Sequence, residues 1–375
     1  MYMKNTIKCK NEHLRHALLF GGCCAGANKS IPILSNAKVS VSGQELTVES
    51  TSLSVSASRK IECQSESDIS FCIDCKSLLA ILSTLKDETV MIEVDGGYAI
   101  VRHSNGRAKL PTFDPEEFPE MAKSEMVASI NVSSEIMLDA LMTGSVFTGN
   151  DELRPNMMSV FIEISEGKME FCATDAHILV HDTVVSDSFS VNGNVSFMVA
   201  RDAIRPMCKM LEAGGDVNLS VYGKTLVLDN GVMSVTANNL EGKYPNFKPI
   251  LEATKKNTNT FEVGTTEFDD AVARALVCSN NSTSQIRLSC TSDGVEVSAE
   301  DIDYNRSYIE GIKCVSHSGD NIVFGLNANF VKKVLSTIKS ATITICASQP
   351  NMAVTLKDST KASRTLLVMP VMLNE

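Results

Sequence analysis

Histidine and cysteine are the side chains with which this chain could do metal or covalent chemistry, and it has six and twelve of them. His177 and His181 are four residues apart, but Met169 to Val185 has the pattern of a strand, which would separate them by about 13 Å. Cys72 and Cys75 form the single CxxC, and no second pair completes a zinc site. The sequence has no P-loop, no GxGxxG and no GxSxG elbow. We therefore expect surface histidines and small core cysteines, with no metal, no cofactor and no enzymatic activity.

The overall charge limits the class of partner. The net charge of −11 argues against unspecific binding of nucleic acid or acidic membranes over the whole surface. It leaves room for a local basic lining, because salt screens the more distant charges. No run approaches the roughly 18 apolar residues of a membrane span. The cysteines fit a reducing compartment, so we expect a cytoplasmic protein.

Basic residues concentrate on predicted helices. Arg201, Arg205 and Lys209 stand at i, i+4 and i+8, so they form one stripe on a helix. A solvated helix face is the ordinary explanation of such a stripe. However, like charges at this spacing repel unless a partner is present, and a phosphate backbone is a natural, sequence-independent partner. The candidate DNA-binding residues on equivalent helices are Lys76, Arg201, Arg205, Lys209, Lys332, Lys333 and Lys339.

These helices recur because the chain repeats itself. The pairs Phe118-Pro119, Tyr244-Pro245 and Met369-Pro370 are spaced 126 and 125 residues apart. Before each pair come a strand-like stretch with a polar kink, a helix and an alternating strand. The kinked stretches are Leu46 to Ile61, Met169 to Val185 and Val295 to Ile309, and the helices are Lys76 to Leu85, Asp202 to Leu211 and Asn329 to Ile338. Pro206 inside the second of these helices predicts either a kink or a later start.

A period of this length is the size of a domain. We predict an α+β protein of three repeated domains, 1–124, 125–253 and 254–375, each with two helices and antiparallel sheets. Strands do not alternate regularly with crossover helices, so a parallel sheet is not expected.

Four short segments give the chain a resemblance to a known family. They are IPILSN at 31–36, ATDAHIL at 173–179, GKYPNF at 242–247 and VMPVML at 368–373. In order and spacing they resemble the bacterial β sliding clamp, the processivity subunit of the replicative DNA polymerase. The resemblance implies a head-to-tail homodimer forming a six-domain ring, with helices lining a hole for duplex DNA. It also implies a polymerase, a clamp loader and repair proteins as partners, held through short linear motifs.

The same resemblance implies a peptide pocket and a dimer interface. The pocket would comprise Met157, Thr174, Ala176, His177, Ile178, Leu179, Pro245, Ile250, Asn327, Phe330, Met352, Val368, Met369, Pro370, Val371, Met372 and Leu373. The dimer interface would comprise Ala108 and Leu110 on one side and Val277 and Cys278 on the other. The apolar carboxyl end could instead be a last core strand.

Several positions depart from the family pattern. Ala176 stands where glycine is usual, Ile178 and Met372 where arginine is usual, and Pro249 where another basic residue is usual. Together they predict a more apolar pocket with less charge complementarity to acidic motifs. Small Ala108 predicts a looser dimer. Two functions remain: a DNA-encircling clamp, or an interaction scaffold of the same fold that does not encircle DNA.

Overall fold

The computed structural model describes residues 5–27, 30–86, 88–122, 124–191 and 193–373. The chain divides into two compact units. Unit one comprises 1–138, 188–191 and 199–240, and unit two comprises 139–187, 192–198 and 241–375. Helix α3 (Ser134–Phe147) and strand β14 (Val195–Ala200) carry residues of both units.

The described residues of unit one form three helices and one long sheet. The helices are α1 (Asn11–Gly21), α2 (Cys75–Thr84) and α4 (Arg201–Leu211). The strands are β1 (Asn5–Lys10), β2 (Asn36–Ser42), β3 (Glu45–Thr51), β4 (Val55–Glu62), β5 (Gln64–Ser65), β6 (Ile69–Asp74), β7 (Thr89–Asp95), β8 (Tyr98–His103), β9 (Gly106–Phe113), β10 (Met126–Ser133), β15 (Asp216–Tyr222), β16 (Thr225–Asp229) and β17 (Met233–Asn238). Their order in the sheet is β10-β15-β16-β17-β4-β3-β2-β6-β9-β8-β7-β1-β5.

The alternation of apolar residues explains this sheet. Along β2 and β3 every second side chain is buried, including Val39, Val41, Leu46 and Val48. Helix α1 turns Leu14 and Leu18 to the same core. Burying a leucine of this kind stabilises the fold by about 1.5–3 kcal/mol. The sheet and the helix therefore share one apolar layer, which leaves the other helix face exposed.

In unit two, the part of the chain that the structure describes forms two sheets and three helices that belong to this unit alone. The helices are α5 (Lys248–Thr254), α6 (Thr265–Cys278) and α7 (Ala328–Leu335). The strands are β11 (Ser159–Ser165), β12 (Lys168–Thr174), β13 (Ile178–Val185), β18 (Asn259–Gly264), β19 (Gln285–Cys290), β20 (Gly294–Asp301), β21 (Arg306–Lys313), β22 (Ser316–Ser318), β23 (Ile322–Asn327), β24 (Thr342–Ala347), β25 (Val354–Asp358) and β26 (Thr365–Val368). One sheet runs β14-β11-β12-β13-β26-β25-β24-β18-β22 and the other β21-β20-β19-β23. Antiparallel pairing joins the successive strands, for example β12 to β13 and β13 to β26, which confirms the predicted α+β class.

A buried ion-pair network ties part of unit two together. The Arg364 side chain is only 4% exposed, and its Nε lies 2.9 Å from Asp182 Oδ2. Its Nη1 donates to Thr143 Oγ1 at 3.2 Å, and its Nη2 donates to Asp139. Ser363 Oγ donates to Asp182 at 2.6 Å. The guanidinium thus links the unit-two part of α3 to β13.

The kinked strands of the sequence prediction are wrong in one respect, because each is a hairpin. The chain reverses between β3 and β4, between β12 and β13, and between β20 and β21. Leu53, Ala176 and Asn305 in these turns have φ of 77°, 77° and 52°. A residue with a left-handed backbone conformation reverses the chain, and neighbouring hydroxyl and carboxylate side chains can hydrogen-bond to the backbone of the turn. The combination therefore favours a tight turn over a continuous strand. His177 accordingly lies in a turn and not in a strand with His181.

Two helix predictions are also corrected. Helix α4 begins at Arg201 and continues through Pro206, so the later start is wrong. The ring of Pro206 removes one backbone donor, but the buried face of the helix compensates by packing. Helix α7 ends at Leu335 and not at Ile338, so Lys339 lies beyond it.

Candidate nucleic-acid and peptide interfaces

Helix α4 separates its charged and apolar residues cleanly. Arg201, Arg205 and Lys209 are all exposed, whereas Ile204 and Met207 are buried. Lys209 Nζ donates to the Leu19 carbonyl at 2.8 Å, near the end of α1. The three cations therefore lie on a solvent-facing stripe, with Lys209 held at its carboxyl end.

The equivalent helices carry less available positive charge. Lys76 is exposed at the start of α2. On α7, Lys332 Nζ lies 2.6 Å from both carboxylate oxygens of Asp269, so this cation is neutralised by α6. Lys333 Nζ lies 3.9 Å from Asp175. Lys339 is exposed beyond the helix, and its backbone N–H donates to Asp358 at 3.0 Å. The sequence contains no acid within this helix, but folding supplies two from elsewhere.

The turn between β12 and β13 begins the proposed pocket wall. Thr174 Oγ1 donates to the Ile178 carbonyl at 2.7 Å and accepts from the Ala176 N–H at 3.1 Å. The carboxylate of Asp175 accepts from the N–H groups of His177 and Ile178 at 2.9 and 2.8 Å. These bonds hold Ala176 in the left-handed conformation that usually favours glycine. Ala176 and His177 are exposed at the tip, while Ile178 and Leu179 are buried.

The carboxyl-terminal tail lies beside this turn. Val368 pairs with Ile178 in the sheet, and the Met369 N–H donates to the His177 carbonyl at 2.8 Å. The Val371 N–H donates to the Gly325 carbonyl at 2.9 Å. A Cβ on Gly325 would lie 2.6 Å from the Val371 carbonyl oxygen, so glycine permits this close approach. Leu366 to Val368 do form a last strand, and the segment after it continues along the surface.

Aromatic and apolar side chains complete the group. The rings of His177 and Phe330 stack at 4.9 Å. Leu179 and Leu367 are buried in one cluster, and Ile250 and Met369 pack against it while partly exposed. The structure therefore brings together four of the segments that the sequence suggested: the turn, helix α5, helix α7 and the tail.

The other predicted wall residues have varied positions. Asn327 caps α7, because its side chain accepts from the N–H groups of Asn329 and Phe330. Pro245 is half-buried in the loop before α5. Met157 is half-buried in a short 3-10 helix (Pro155–Met158), and Met352 is half-buried in a bend. The tail residues differ, with Pro370 half-buried and Met372 76% exposed. Leu373 lines a separate cavity of about 770 Å³ with Tyr308 and Ile309.

The three positions at which the family usually has a basic residue differ in their exposure to solvent. Ile178 is fully buried and supports the wall from behind, whereas Met372 and Pro249 are exposed. Only the exposed pair therefore alters the accessible charge of this surface directly.

Sequence reasoning missed the aromatic cluster behind the wall. Phe161 stacks on Tyr244 at 5.2 Å, and Phe247 lies against both. His181 lies 5.6 Å from the Phe247 ring, and burial lowers the pKa of this imidazole despite the nearby Glu170. Tyr244 and Phe247 fall within the GKYPNF segment, but nothing in β11 distinguishes Phe161 from any other apolar strand residue.

Two strands present free edges where a dimer contact was predicted. Within the described residues, Gly106 to Pro111 of β9 pair with β8 alone, and β21 pairs with β20 alone. Ala108 and Leu110 are half-buried on β9. Val277 is 69% exposed at the end of α6, beside half-buried Cys278.

In the part of the chain that the structure describes, no group of three or more His, Cys, Asp or Glu side chains is placed to hold a metal ion. None of the described helices has the length and apolar content required to cross a membrane.

Comparison with known proteins identifies the family. Residues 7–122 match the family model of the DNA polymerase III beta subunit, N-terminal domain, and residues 254–372 match that of its C-terminal domain. The beta sliding clamp of Vibrio cholerae is 22% identical over 99% of this chain and 100% of that protein. The beta sliding clamp of Haemophilus influenzae is 22% identical over 92% of this chain and 93% of that protein.

Solved structures agree on the fold. The DNA polymerase sliding clamp of Pseudomonas aeruginosa superposes with a TM-score of 0.93 at 19% identity, covering 98% of this chain and 100% of that one. The clamp of Bacillus subtilis gives 0.91 at 16% identity, covering 99% and 100%. One of the Pseudomonas aeruginosa structures is bound to griselimycin. The chain has the sliding-clamp fold, and it belongs to the DNA polymerase III beta subunit family.

Proposed function

We propose that this protein is a DNA sliding clamp that encircles duplex DNA and tethers the replicative polymerase and other clamp-binding proteins. It performs no chemistry of its own. The observation that carries the proposal is the exposed stripe of Arg201, Arg205 and Lys209 on α4, in a chain whose net charge is −11. Membership of the family supplies the context.

The stripe suits a mobile contact with DNA. Cations that touch phosphates contribute affinity without reading sequence, so the protein can slide. Lys76 adds to this lining, together with Lys333 and Lys339, whereas the ion pair of Lys332 with Asp269 reduces its contribution. Each contact between a cation and a phosphate is weak, so a closed ring around the duplex would keep the protein on the DNA.

Closure would come from a head-to-tail homodimer. We propose that the free edge of β9 pairs with the free edge of β21 of a second copy, since this would satisfy backbone groups on both. Leu110 and exposed Val277 would add apolar contact, with Ala108 and Cys278 beside them. The small side chain of Ala108 is expected to make the dimer dissociate more readily on dilution.

The peptide pocket would be formed by the β12–β13 turn, Ile250, Phe330 and the tail. Its support is the contact of these segments within unit two and the partial exposure of Ile250 and Met369. Flexible methionine side chains suit a surface that must accept several ligands.

Retention on DNA circles tests the proposal. The protein is loaded on nicked circular duplex, with the host's clamp loader and ATP, and its dissociation is followed before and after the circle is linearised. A ring should remain for much longer on the circle than on linear DNA with free ends. Reversal of Arg201, Arg205 and Lys209 to Glu should shorten retention and reduce its dependence on salt.

A matched control separates position from net charge. Lys8, Lys60 and Lys357 are exposed and lie outside the proposed surfaces, so reversing them to Glu makes the same change in charge. This control should be retained like the wild type. Equal dissociation from circles and linear DNA by the wild type, with peptide binding intact, would instead favour the scaffold that does not encircle DNA.

Deletion of 371–375 tests the peptide pocket. The truncated protein should lose binding of the host polymerase's clamp-binding peptide, and of griselimycin as a second probe, while remaining dimeric in sedimentation. Unchanged affinity in a folded truncation would locate the pocket elsewhere.

A further inference from the structure

Unit one contains a cavity that the proposed clamp function does not use. It has a volume of about 970 Å³ and is lined by residues including Cys23, Cys24, Ser54, Arg205 and Lys209. Two neighbouring thiols therefore open into the same space as two cations of the α4 stripe and one carboxylate, that of Asp202, which accepts from Ser54 Oγ at 2.6 Å.

The two thiols are in different surroundings. Cys23 is exposed, whereas Cys24 is 5% exposed and its N–H donates to Ser50 Oγ at 3.1 Å. Their Sγ atoms are 3.9 Å apart. Only Cys23 is thus accessible to a reagent that enters the cavity, and it has a second thiol at hydrogen-bonding distance.

A hydrogen bond, and secondarily two nearby cations, favour a thiolate at Cys23. The hydrogen bond from Cys24 lowers the pKa of the Cys23 thiol; partial burial opposes this effect, and the charges of Lys209 and Arg205 reinforce it. Burial instead raises the pKa of Cys75, to about 11, and the hydrogen bond to Cys23 together with burial raises that of Cys24. Thiolates are the reactive form, so these neighbours distinguish Cys23 from the buried cysteines.

We propose that Cys23 is a thiolation site, which accepts an anionic low-molecular-weight thiol from the corresponding disulfide. The Cys23 thiolate attacks one sulfur of R–S–S–R, the S–S bond breaks, and the products are Cys23–S–S–R and R–S⁻. The disulfide supplies the oxidising equivalents. Arg205 and Lys209 attract a carboxylate-bearing reagent and stabilise its adduct.

The mixed disulfide should persist despite the neighbouring thiol. Attack by Cys24 would release R–SH and join two adjacent residues. Adjacent Cα atoms are about 3.8 Å apart, whereas disulfides usually span about 4.4–6.8 Å. Closure of that bond is therefore strained, and the open mixed disulfide is favoured.

The adduct has a consequence that rests on the proposed clamp function. Its carboxylates would lie against Arg205 and Lys209 and would compete with DNA phosphate. Thiolation would then shorten retention on DNA through charge, in addition to any effect of size.

The first experiment measures modification without DNA. The intact protein is treated with glutathione disulfide and its adducts are located by mass spectrometry. We expect a single adduct on Cys23, absent from Cys23→Ser and present in Cys314→Ser, which removes a half-buried cysteine of unit two. Arg205→Met with Lys209→Met should slow the reaction, by about threefold for each unit of pKa restored. An adduct on other cysteines at the same rate would overturn the assignment.

The second experiment uses charge-matched reagents and DNA. Glutathione disulfide leaves an anionic adduct, whereas cystamine leaves a cationic one through the same bond. Retention on nicked circles should shorten several-fold with the first and not with the second, and a reductant should restore it. Equal loss with both adducts would overturn the role of charge. If the unmodified protein is not retained on circles, the clamp proposal and this consequence fail together, while the thiolation assay still decides the site.

Discussion

The hairpin turns Thr51–Val55 and Thr174–Ile178, one in each unit, are the same structure built twice. In each turn the threonine hydroxyl donates to the carbonyl four residues later, at 3.3 Å from Thr51 to Val55 and at 2.7 Å from Thr174 to Ile178. Leu53 and Ala176, at the same position, both have φ of 77°. The surroundings differ, because the first turn adjoins the thiol-lined cavity and the second adjoins the tail. The repeat therefore preserves the backbone of the turn, and the neighbours determine what it can bind.

A second difference lies in the strands that follow the two turns, β4 and β13, at the position eight residues after Thr51 and after Thr174. In unit two this residue is Asp182, which is 1% exposed and paired with Arg364. In unit one it is Arg59, whose buried Nε has no hydrogen-bond partner among the described residues. Arg59 Nη1 instead lies 3.9 Å from Met233 Sδ. Equivalent positions thus carry opposite charges, and within the described part of the chain only that of Asp182 is compensated by an ion pair.

The largest expected effect comes from breaking that ion pair. Arg364→Ala would leave Asp182 and Asp139 as buried or half-buried carboxylates without their main cation. Removing one member of a buried pair costs about 3–5 kcal/mol of stability. Urea unfolding should reveal this loss, and Arg59→Ala should cost less because it breaks no ion pair with any residue that the structure describes. Equal costs would show that the two strands do not differ as described.

The turn hydroxyls should have an intermediate effect. Thr174→Val keeps the shape of the side chain but removes the bonds to Ile178 and Ala176. Each of the two lost hydrogen bonds should cost about 0.5–1.5 kcal/mol, since Ala176 is exposed and the Ile178 carbonyl still accepts from the Asp175 N–H. Thr51→Val should cost less, because its hydroxyl bond is longer. Only the unit-two variant should also weaken peptide binding, as calorimetry would measure; a loss with both variants would contradict the comparison.

Glycine at the left-handed positions should have a smaller effect of opposite sign. A non-glycine residue in this conformation costs about 1–2 kcal/mol. Ala176→Gly should therefore raise the free energy of unfolding by about 0.5–1 kcal/mol after the entropic cost of glycine. Leu53→Gly should gain less, because Leu53 is 42% exposed and its buried part loses contacts. Thermal unfolding would measure both, and destabilisation by Ala176→Gly would contradict the assigned strain.

The smallest effect is confined to acidic pH. Burial raises the pKa of Asp139, but hydrogen bonds and charge from Arg364 and Lys361 outweigh this and hold its pKa below the usual value. The resulting stability is present above the unfolded pKa of about 3.9 and is lost as pH falls through the lower folded pKa. Asp139→Asn should flatten unfolding free energy against pH in that window, while Arg59→Met should keep the slope of the wild type. An unchanged slope in Asp139→Asn would exclude this carboxylate as its source.

Local patterns predicted the described helices other than α5, the antiparallel α+β class and the charged face of α4, because the spacing of apolar residues encodes them directly. The hairpins were missed, since the signal was only a hydroxyl or carboxylate beside a left-handed residue such as Leu53. Partners distant in sequence were also missed. Asp269 neutralises Lys332 across 63 residues, and Arg364 reaches Asp182 across 182. No local pattern predicts such pairs, which depend on folded packing. The boundaries of the three domains, the interior DNA contact and the pocket remain predictions.

The pairing of β4 with β17 has a consequence for any attempt to divide the protein. A fragment ending at the predicted boundary after residue 124 would lack β17, so β4 would expose a row of unpaired backbone groups. In unit two, β13 would lose β26 in the same way. Such bare edges recruit other chains, and isolated repeats should precipitate or form fibres during expression. Because β4 pairs with β17 and β13 pairs with β26, we expect a stable fold to require strands from more than one of the predicted repeats.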